Sequence, residues 1–183
     1  VIEKWQQLAS HRVFDTPYFN IRKDRCRLPD GREIDDYYVM QSVDIALIVT
    51  RTSAKEFVLV EQYRHGIGDI FLEVPGGACE PDSSDILEDA KRELREETGY
   101  VSNNWHKLTT FVNDPTRTNN RIHMYLALDA YLVGDQSLDP NEDITVCLMP
   151  QTEVMSAIRD RKINVSNSIA GLMLALDWLA NRT

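Results

Sequence analysis

The chain has 183 residues, which is room for one domain, or one domain with a small appendage, and not for two independent large cores. Its 43% hydrophobic and 27% charged composition lies close to the globular norm and excludes the disordered, collagen-like and coiled-coil classes. The formal charge of −9 argues against a grip on nucleic acid or on an anionic membrane, and a phosphorylated substrate would need cations or a local basic patch.

Residues 1–16 are mixed in character and read as a short helix or an arm. Residues 18–28 and 33–41 read as extended. Between them lies Pro29-Asp30-Gly31, where Pro fixes φ, Asp favours a turn and Gly tolerates positive φ, so a hairpin is expected. Residues 43–50 and 57–61 are β-rich runs around a turn at Thr52-Ser53-Ala54-Lys55. Residues 70–74 form a short strand that runs into Pro75-Gly76-Gly77. A helix follows, with Asp85 as its N-cap, Gly99 just past its end, and Ile86, Leu87, Ala90 and Leu94 as its apolar stripe.

Strands are expected at 105–112 and 122–133, then an acidic loop at 135–143, a strand at 144–149, and helices near 152–160 and 167–181. This irregular alternation predicts an α/β chain with a mixed sheet packed by helices, rather than a regular parallel βαβ array. The longest apolar run, 169–176, is far short of the roughly 18–20 residues that span a bilayer. Cys26, Cys79 and Cys147 are scattered without a CxxC pair, and the four histidines lack zinc-ligand spacing, so a reducing, cytoplasmic setting is expected. No signal-peptide pattern is visible; the chain opens on Val1, which leaves its natural start open.

The informative stretch is Arg92-Glu93-Leu94-Arg95-Glu96-Glu97-Thr98-Gly99-Tyr100. Glu93 and Glu97 are four residues apart and Glu93 and Glu96 three, which gathers three carboxylates on one helix face. Like charges at those spacings repel by roughly 0.2–0.5 kcal/mol per pair on an exposed helix. They also crowd the last turns, where the helix dipole favours cations. Hard divalent cations would relieve both conflicts, because they bind carboxylate oxygens. The alternative is a solvated acidic face offset by Arg92 and Arg95. The adjacent glycines Gly76 and Gly77, just ahead of this helix, let the main chain approach a ligand and offer it a carbonyl.

The segment from Gly77 to Tyr100 resembles the signature of the Nudix hydrolases: a glycine, a loop, then Arg-Glu-apolar-x-Glu-Glu-x-Gly-apolar. Arg92 to Tyr100 matches without a gap. The first half departs: Ser83 stands where the family has a glutamate, and one extra residue precedes Arg92, with Glu80, Asp82 or Asp85 as possible replacements for the missing acid. Val60-Glu61-Gln62-Tyr63-Arg64, the turn at 29–31 and Asn141-Glu142-Asp143-Ile144 are similar to the ADP-ribose pyrophosphatase branch, which includes hydrolases of nucleoside-diphosphate sugars.

The resemblance implies an α/β/α sandwich over 42–183, with residues 1–41 as an antiparallel hairpin subdomain that takes part in a homodimer. It implies hydrolysis of the diphosphate of ADP-ribose or a related nucleoside-diphosphate sugar, with Mg²⁺ or Mn²⁺, more than one per site. Glu93, Glu96, Glu97 and the Gly76 carbonyl would be metal ligands. Arg92 would orient a neighbouring glutamate, and Glu142, or else Asp143, would act as the base. Arg64 would bind phosphate as a planar fork, and Tyr38, with Tyr37 and Phe19, is available to stack on a base. Arg117 and Arg121 are a second basic pair, Trp178 reads as core, and His65 reads as a surface residue. Two rivals stay open: a Nudix hydrolase of another nucleoside-diphosphate substrate, and a module that binds a nucleotide sugar without turnover. The intact Arg92–Glu97 run stands against the second. A structural homodimer whose acidic helix is merely a soluble face is a third.

Overall fold

The computed structural model describes residues 1–16, 19–81 and 83–182. Asp82, one of the three acids considered as a replacement, lies outside the described residues. The chain forms two compact units: Val1–Val43 with Val112–Arg121, and Asp44–Phe111 with Ile122–Thr183.

The first unit is a three-stranded antiparallel sheet of β1 (Gln6–Asp15), β2 (Asn20–Arg27) and β3 (Glu33–Gln41), in the order β1-β2-β3. The expected hairpin is β2–β3. Its turn closes with the Gly31 N–H on the Leu28 carbonyl at 3.0 Å and the Arg32 N–H on the Asp30 carboxylate at 3.1 Å, and Gly31 takes φ +88°. The expectation of a helix or arm at 1–16 is corrected: most of it is β1. That strand is exposed along nearly its whole length, so no alternation of buried and exposed side chains marks it. Its ladder with β2, from Gln6 opposite Arg27 to Asp15 opposite Asn20, is what defines it. The 112–121 segment docks on β3, where Tyr37 donates its hydroxyl to the Thr116 carbonyl at 2.8 Å and the Met40 N–H reaches the Arg117 carbonyl at 2.7 Å.

The second unit holds a mixed sheet of β4 (Ile45–Thr52), β5 (Glu56–Arg64), β6 (Asp69–Glu73), β7 (Gly76–Ala78), β8 (Tyr100–Val101), β9 (Asn104–Phe111), β10 (Ile122–Leu132) and β11 (Ile144–Pro150). The main path is β11-β5-β4-β10-β8; β6 pairs with β5, β7 with β4, and β9 with β10. β4 and β10 run parallel at the centre and the other pairings are antiparallel. These two central strands are apolar at successive positions because both faces are covered.

Val49, Met124, Leu126 and Leu128 face one core with α2 (Val154–Arg159) and α3 (Ser166–Ala180). Ala46, Ile48, Tyr125 and Ala127 face the other, with Ala90 and Leu94 of α1 (Ile86–Thr98). The result is the expected α/β/α sandwich. Gly171 sets how closely α3 lies on the sheet, since a Cβ there would come within 2.7 Å of the Met124 methyl. Trp178 is half-buried at the edge of the first core, stacked 4.4 Å from His106. Among the described residues, no helix is long and apolar enough to cross a membrane.

Candidate active site

Helix α1 forms as its sequence dictates. Asp85 accepts the Leu87 N–H at 3.0 Å, and Gly99, at φ +72°, gives its N–H to the Arg95 carbonyl at 2.9 Å. With Ala90 and Leu94 buried against the sheet, Glu93, Glu96 and Glu97 project along one flank. There they line a cavity of about 240 Å³ together with Gly76, Gly77, Arg92, Arg64 and Glu142.

The short strand β7 places the glycine pair against that flank. At Gly76, φ is +145°, and a Cβ would run into the Ala46 carbonyl and the Leu47 backbone. A Cβ on Gly77 would lie 2.5 Å from a Glu93 carboxylate oxygen. Glycine is therefore what lets the main chain lie beside the acids. The Gly76 N–H donates to Glu97 Oε2 at 2.8 Å.

Glu97 is only 5% exposed, and burial pushes its carboxyl up to about 8. The Gly76 N–H pulls the other way, while Glu93 and Glu142 add repulsion. Glu93 is raised too, by burial first, with Arg92 opposing and Glu96 and Glu142 reinforcing. Arg92 forks between its neighbours, Nη2 to Glu93 Oε1 and Nη1 to Glu96 Oε2, each at 2.7 Å. Burial works against the Arg92 charge, but these two carboxylates more than restore it and its pKa is raised. Among the described residues, no three His, Cys, Asp or Glu side chains stand grouped closely enough to grip a metal ion. The Arg92 fork and the Gly76 N–H each hold a carboxylate oxygen of this cluster. The donor set itself is hard oxygen, three carboxylates against one guanidinium, with Glu97 buried among them, which is the chemistry that suits Mg²⁺ or Mn²⁺.

Glu142 reaches the same cavity from the loop before β11. A reciprocal turn fixes it: the Glu142 N–H donates to the Asp139 carbonyl at 2.9 Å, and the Asp139 N–H to Glu142 Oε2 at 3.0 Å. Asp143 is exposed and is not among the residues that line this cavity. Arg64 lines it at the end of β5 and donates Nε to Glu73 Oε1 at 2.7 Å. Glu73, 9% exposed, is a partner that sequence reasoning missed: it stands opposite Val60 on β6, while the residue directly opposite Arg64 is Asp69. Gln62, Ala78, Ser137 and Asp139 complete the lining and were also missed.

The other candidates fall elsewhere. Asp85 is consumed as a cap, Glu80 is exposed in the turn closed by the Ser83 N–H, and neither lines the cavity. Tyr38 is on β3 of the first unit, 53% exposed, with the Lys23 ammonium 5.9 Å from its ring centre. Tyr37 is committed to Thr116 and Trp5, and Phe19 packs edge-on against Phe14. Arg117 and Arg121 belong to the 112–121 segment of that same unit. His65 is exposed and sits 3.2 Å from the Tyr63 hydroxyl.

Comparison with known proteins gives the family. Residues 5–40 match the family described as nucleoside diphosphate sugar hydrolase N-terminal domain, and residues 40–167 match the NUDIX domain. The chain is 27% identical to an ADP-ribose pyrophosphatase of Mycobacterium tuberculosis, over 92% of this chain and 82% of that one. It is 26% identical to a methanol dehydrogenase activator of Bacillus methanolicus, over 88% and 87%. A crystal structure of an ADP compounds hydrolase shares the fold, with a TM-score of 0.88 at 21% identity over 100% of this chain and 97% of that one. The chain belongs to the Nudix family, in its ADP-ribose pyrophosphatase branch, and is an enzyme of the pyrophosphohydrolase class. Nudix hydrolases generally use divalent metal ions.

Proposed function

We propose that the enzyme hydrolyses the diphosphate linkage of ADP-ribose or a related nucleoside-diphosphate sugar, giving a nucleoside monophosphate and a sugar phosphate. The observation that carries this reading is the convergence on one cavity of three helix glutamates, a loop glutamate and two arginines. The match of residues 5–40 to an N-terminal domain named for nucleoside-diphosphate-sugar hydrolases, and the similarity to ADP-ribose pyrophosphatases, support the substrate class.

Glu93, Glu96, Glu97 and the Gly76 carbonyl would hold Mg²⁺ or Mn²⁺, more than one per site. Bound there, such ions would offset the charge of the diphosphate and favour ionisation of the attacking water. Arg92 orients Glu93 and Glu96 through one hydrogen bond to each. Arg64, kept in orientation by Glu73, presents the rest of its guanidinium to a phosphate oxygen. Glu142 has Oε2 tied to the Asp139 N–H, which leaves Oε1 to take the proton from the attacking water. The water oxygen adds to one phosphorus, the bridging P–O bond breaks, and the other phosphate leaves.

The test is release of product from ADP-ribose, other nucleoside-diphosphate sugars, dinucleoside polyphosphates and nucleoside triphosphates, with Mg²⁺ or Mn²⁺. Glu97→Gln should abolish most of the rate, and Glu142→Gln should lower kcat by about 10²–10⁴-fold, the range of general base catalysis. Parental turnover of the nucleoside-diphosphate sugars by Glu97→Gln would overturn the site.

A further inference from the structure

Three tethers join the 133–137 segment to the last turn of α1. The Val133 N–H donates to the Gly99 carbonyl at 3.0 Å, and the Ser137 N–H to the Glu96 carbonyl at 2.8 Å. Between them, Gln136 uses both hydrogens of one amide nitrogen. Its Nε2 donates to the Glu97 carbonyl at 2.5 Å and to the Ile144 carbonyl at 3.1 Å. The two acceptors are chemically telling. Glu97 is the most buried of the site's helix glutamates, and Ile144 is the residue at which the loop carrying Glu142 ends and β11 begins.

The backbone leaves this segment little freedom to settle elsewhere. A Cβ at Gly99 would collide with the Gly134 carbonyl, so chain and helix end are in direct apposition. Both Glu97 and Ile144 are buried, and a carbonyl left without a donor there is costly. One side chain thus spans the acid-bearing helix and the far end of the base-bearing loop.

We propose that Gln136 is a positioning residue that fixes the Glu142 loop to the end of α1, holding the base at its working distance from the glutamate cluster. The inference rests on the reading of Glu142 as the base. Gln136 is not among the residues that line the cavity; it acts through the loop. Loosening it lets Glu142 shift by a fraction of a residue while Glu93, Glu96 and Glu97 stay on their helix. A misplacement of about 1 Å lowers a rate on the order of 10²-fold, so kcat should fall by about that factor while KM and the Mg²⁺ dependence hold.

The experiment uses the full chain with Mg²⁺ and ADP-ribose, and compares Gln136→Glu, Gln136→Leu and Gln136→Lys. Glutamate, assayed at a pH where it is ionised, keeps the shape but has no hydrogen to donate; lysine keeps donors at similar reach. The proposal expects Glu and Leu to lower kcat by about 10²-fold and Lys to recover most of it. Packing alone would favour Glu and penalise Lys. In a Glu142→Gln background, Gln136→Leu should bring no further loss, the non-additivity of groups that act as a unit.

Amide hydrogen exchange supplies a readout apart from turnover: protection should fall at 137–143 and hold through α1. Parental kcat in Gln136→Glu, additive losses in the double variant, or unchanged exchange in the loop would each overturn the clamp. Parental kcat in Glu142→Gln alone is a different result, since it removes the base assignment itself.

Discussion

Glu97 carries the sharpest physical statement at the scale of single residues. Its carboxyl is pushed from an ordinary 4.5 to about 8, chiefly by burial. Because the folded pKa lies above the unfolded one, the native state holds an extra proton between them. The stability that the neutral acid contributes is fully present below the unfolded value and is lost as pH rises toward and through 8. Glu93, also raised by burial, works in the same direction. In EDTA, the Tm of the parent protein should therefore fall between about pH 5 and pH 8, and Glu97→Gln should remove much of that fall; a parent profile that is flat in EDTA would contradict the buried-acid geometry. Gly77 makes a second prediction. Its missing Cβ leaves room for the Glu93 carboxylate, which is the far end of a flexible side chain. Gly77→Ala should leave Tm nearly unchanged and displace that carboxylate, lowering turnover by about tenfold to a hundredfold. Equal losses of stability and rate would mean that the alanine disturbs the strand instead.

Helix α1 was legible in the sequence because everything that forms it is local: the Asp85 cap, the Gly99 stop and the apolar stripe lie within the element and all appear as expected. The glutamate flank followed from the same periodicity. β1 was not legible, because an exposed strand carries no burial pattern and its existence is stated only in its pairing with β2. Gln136 and Glu73 were not legible for a related reason: each matters through a partner brought close by the fold, 39 and 9 residues away. Glu142 stood out only through the family resemblance, as nothing in its own neighbourhood distinguishes it from a solvated loop acid. The caps also separate stability from chemistry. Asp85→Ala should cost about 1 kcal/mol and leave turnover intact, because the carboxylate serves the helix end and not the cavity. Gly99→Ala should cost more, since the left-handed backbone alone is worth ~1–3 kcal/mol and the Gly134 carbonyl blocks the new methyl. Differential denaturation of the two variants, set beside their kcat values, checks both. A rate loss in Asp85→Ala at parental stability would return Asp85 to the list of ligands.

The charge balance of the whole molecule bears on the proposed site: a chain at −9 whose cavity gathers four glutamates would repel a diphosphate, and the cations proposed there would offset that charge. The first unit poses the remaining problem at this scale. Among its described residues, the buried apolar side chains are Cys26 and Val39 alone. A three-stranded sheet needs an apolar face covered to be stable, yet Trp5, Val13, Phe14 and Phe19 are each 38–50% exposed. The cross-strand ion pairs of Arg25 and Arg27 with Glu33 are solvent-accessible and hold register more than stability. We propose a second copy of this chain as the covering partner, because these exposed aromatic side chains share one small unit with almost no core of its own. Sedimentation at micromolar concentration should then give twice the chain mass. Phe14→Asp, a charge placed on an exposed strand position at the cost of the edge-on contact with Phe19, should shift the equilibrium toward monomer and make Tm depend on concentration. A parent protein that sediments as a monomer at every concentration, with Trp5 fluorescence insensitive to dilution, would rule out the dimer and leave the exposed face of this sheet to another partner.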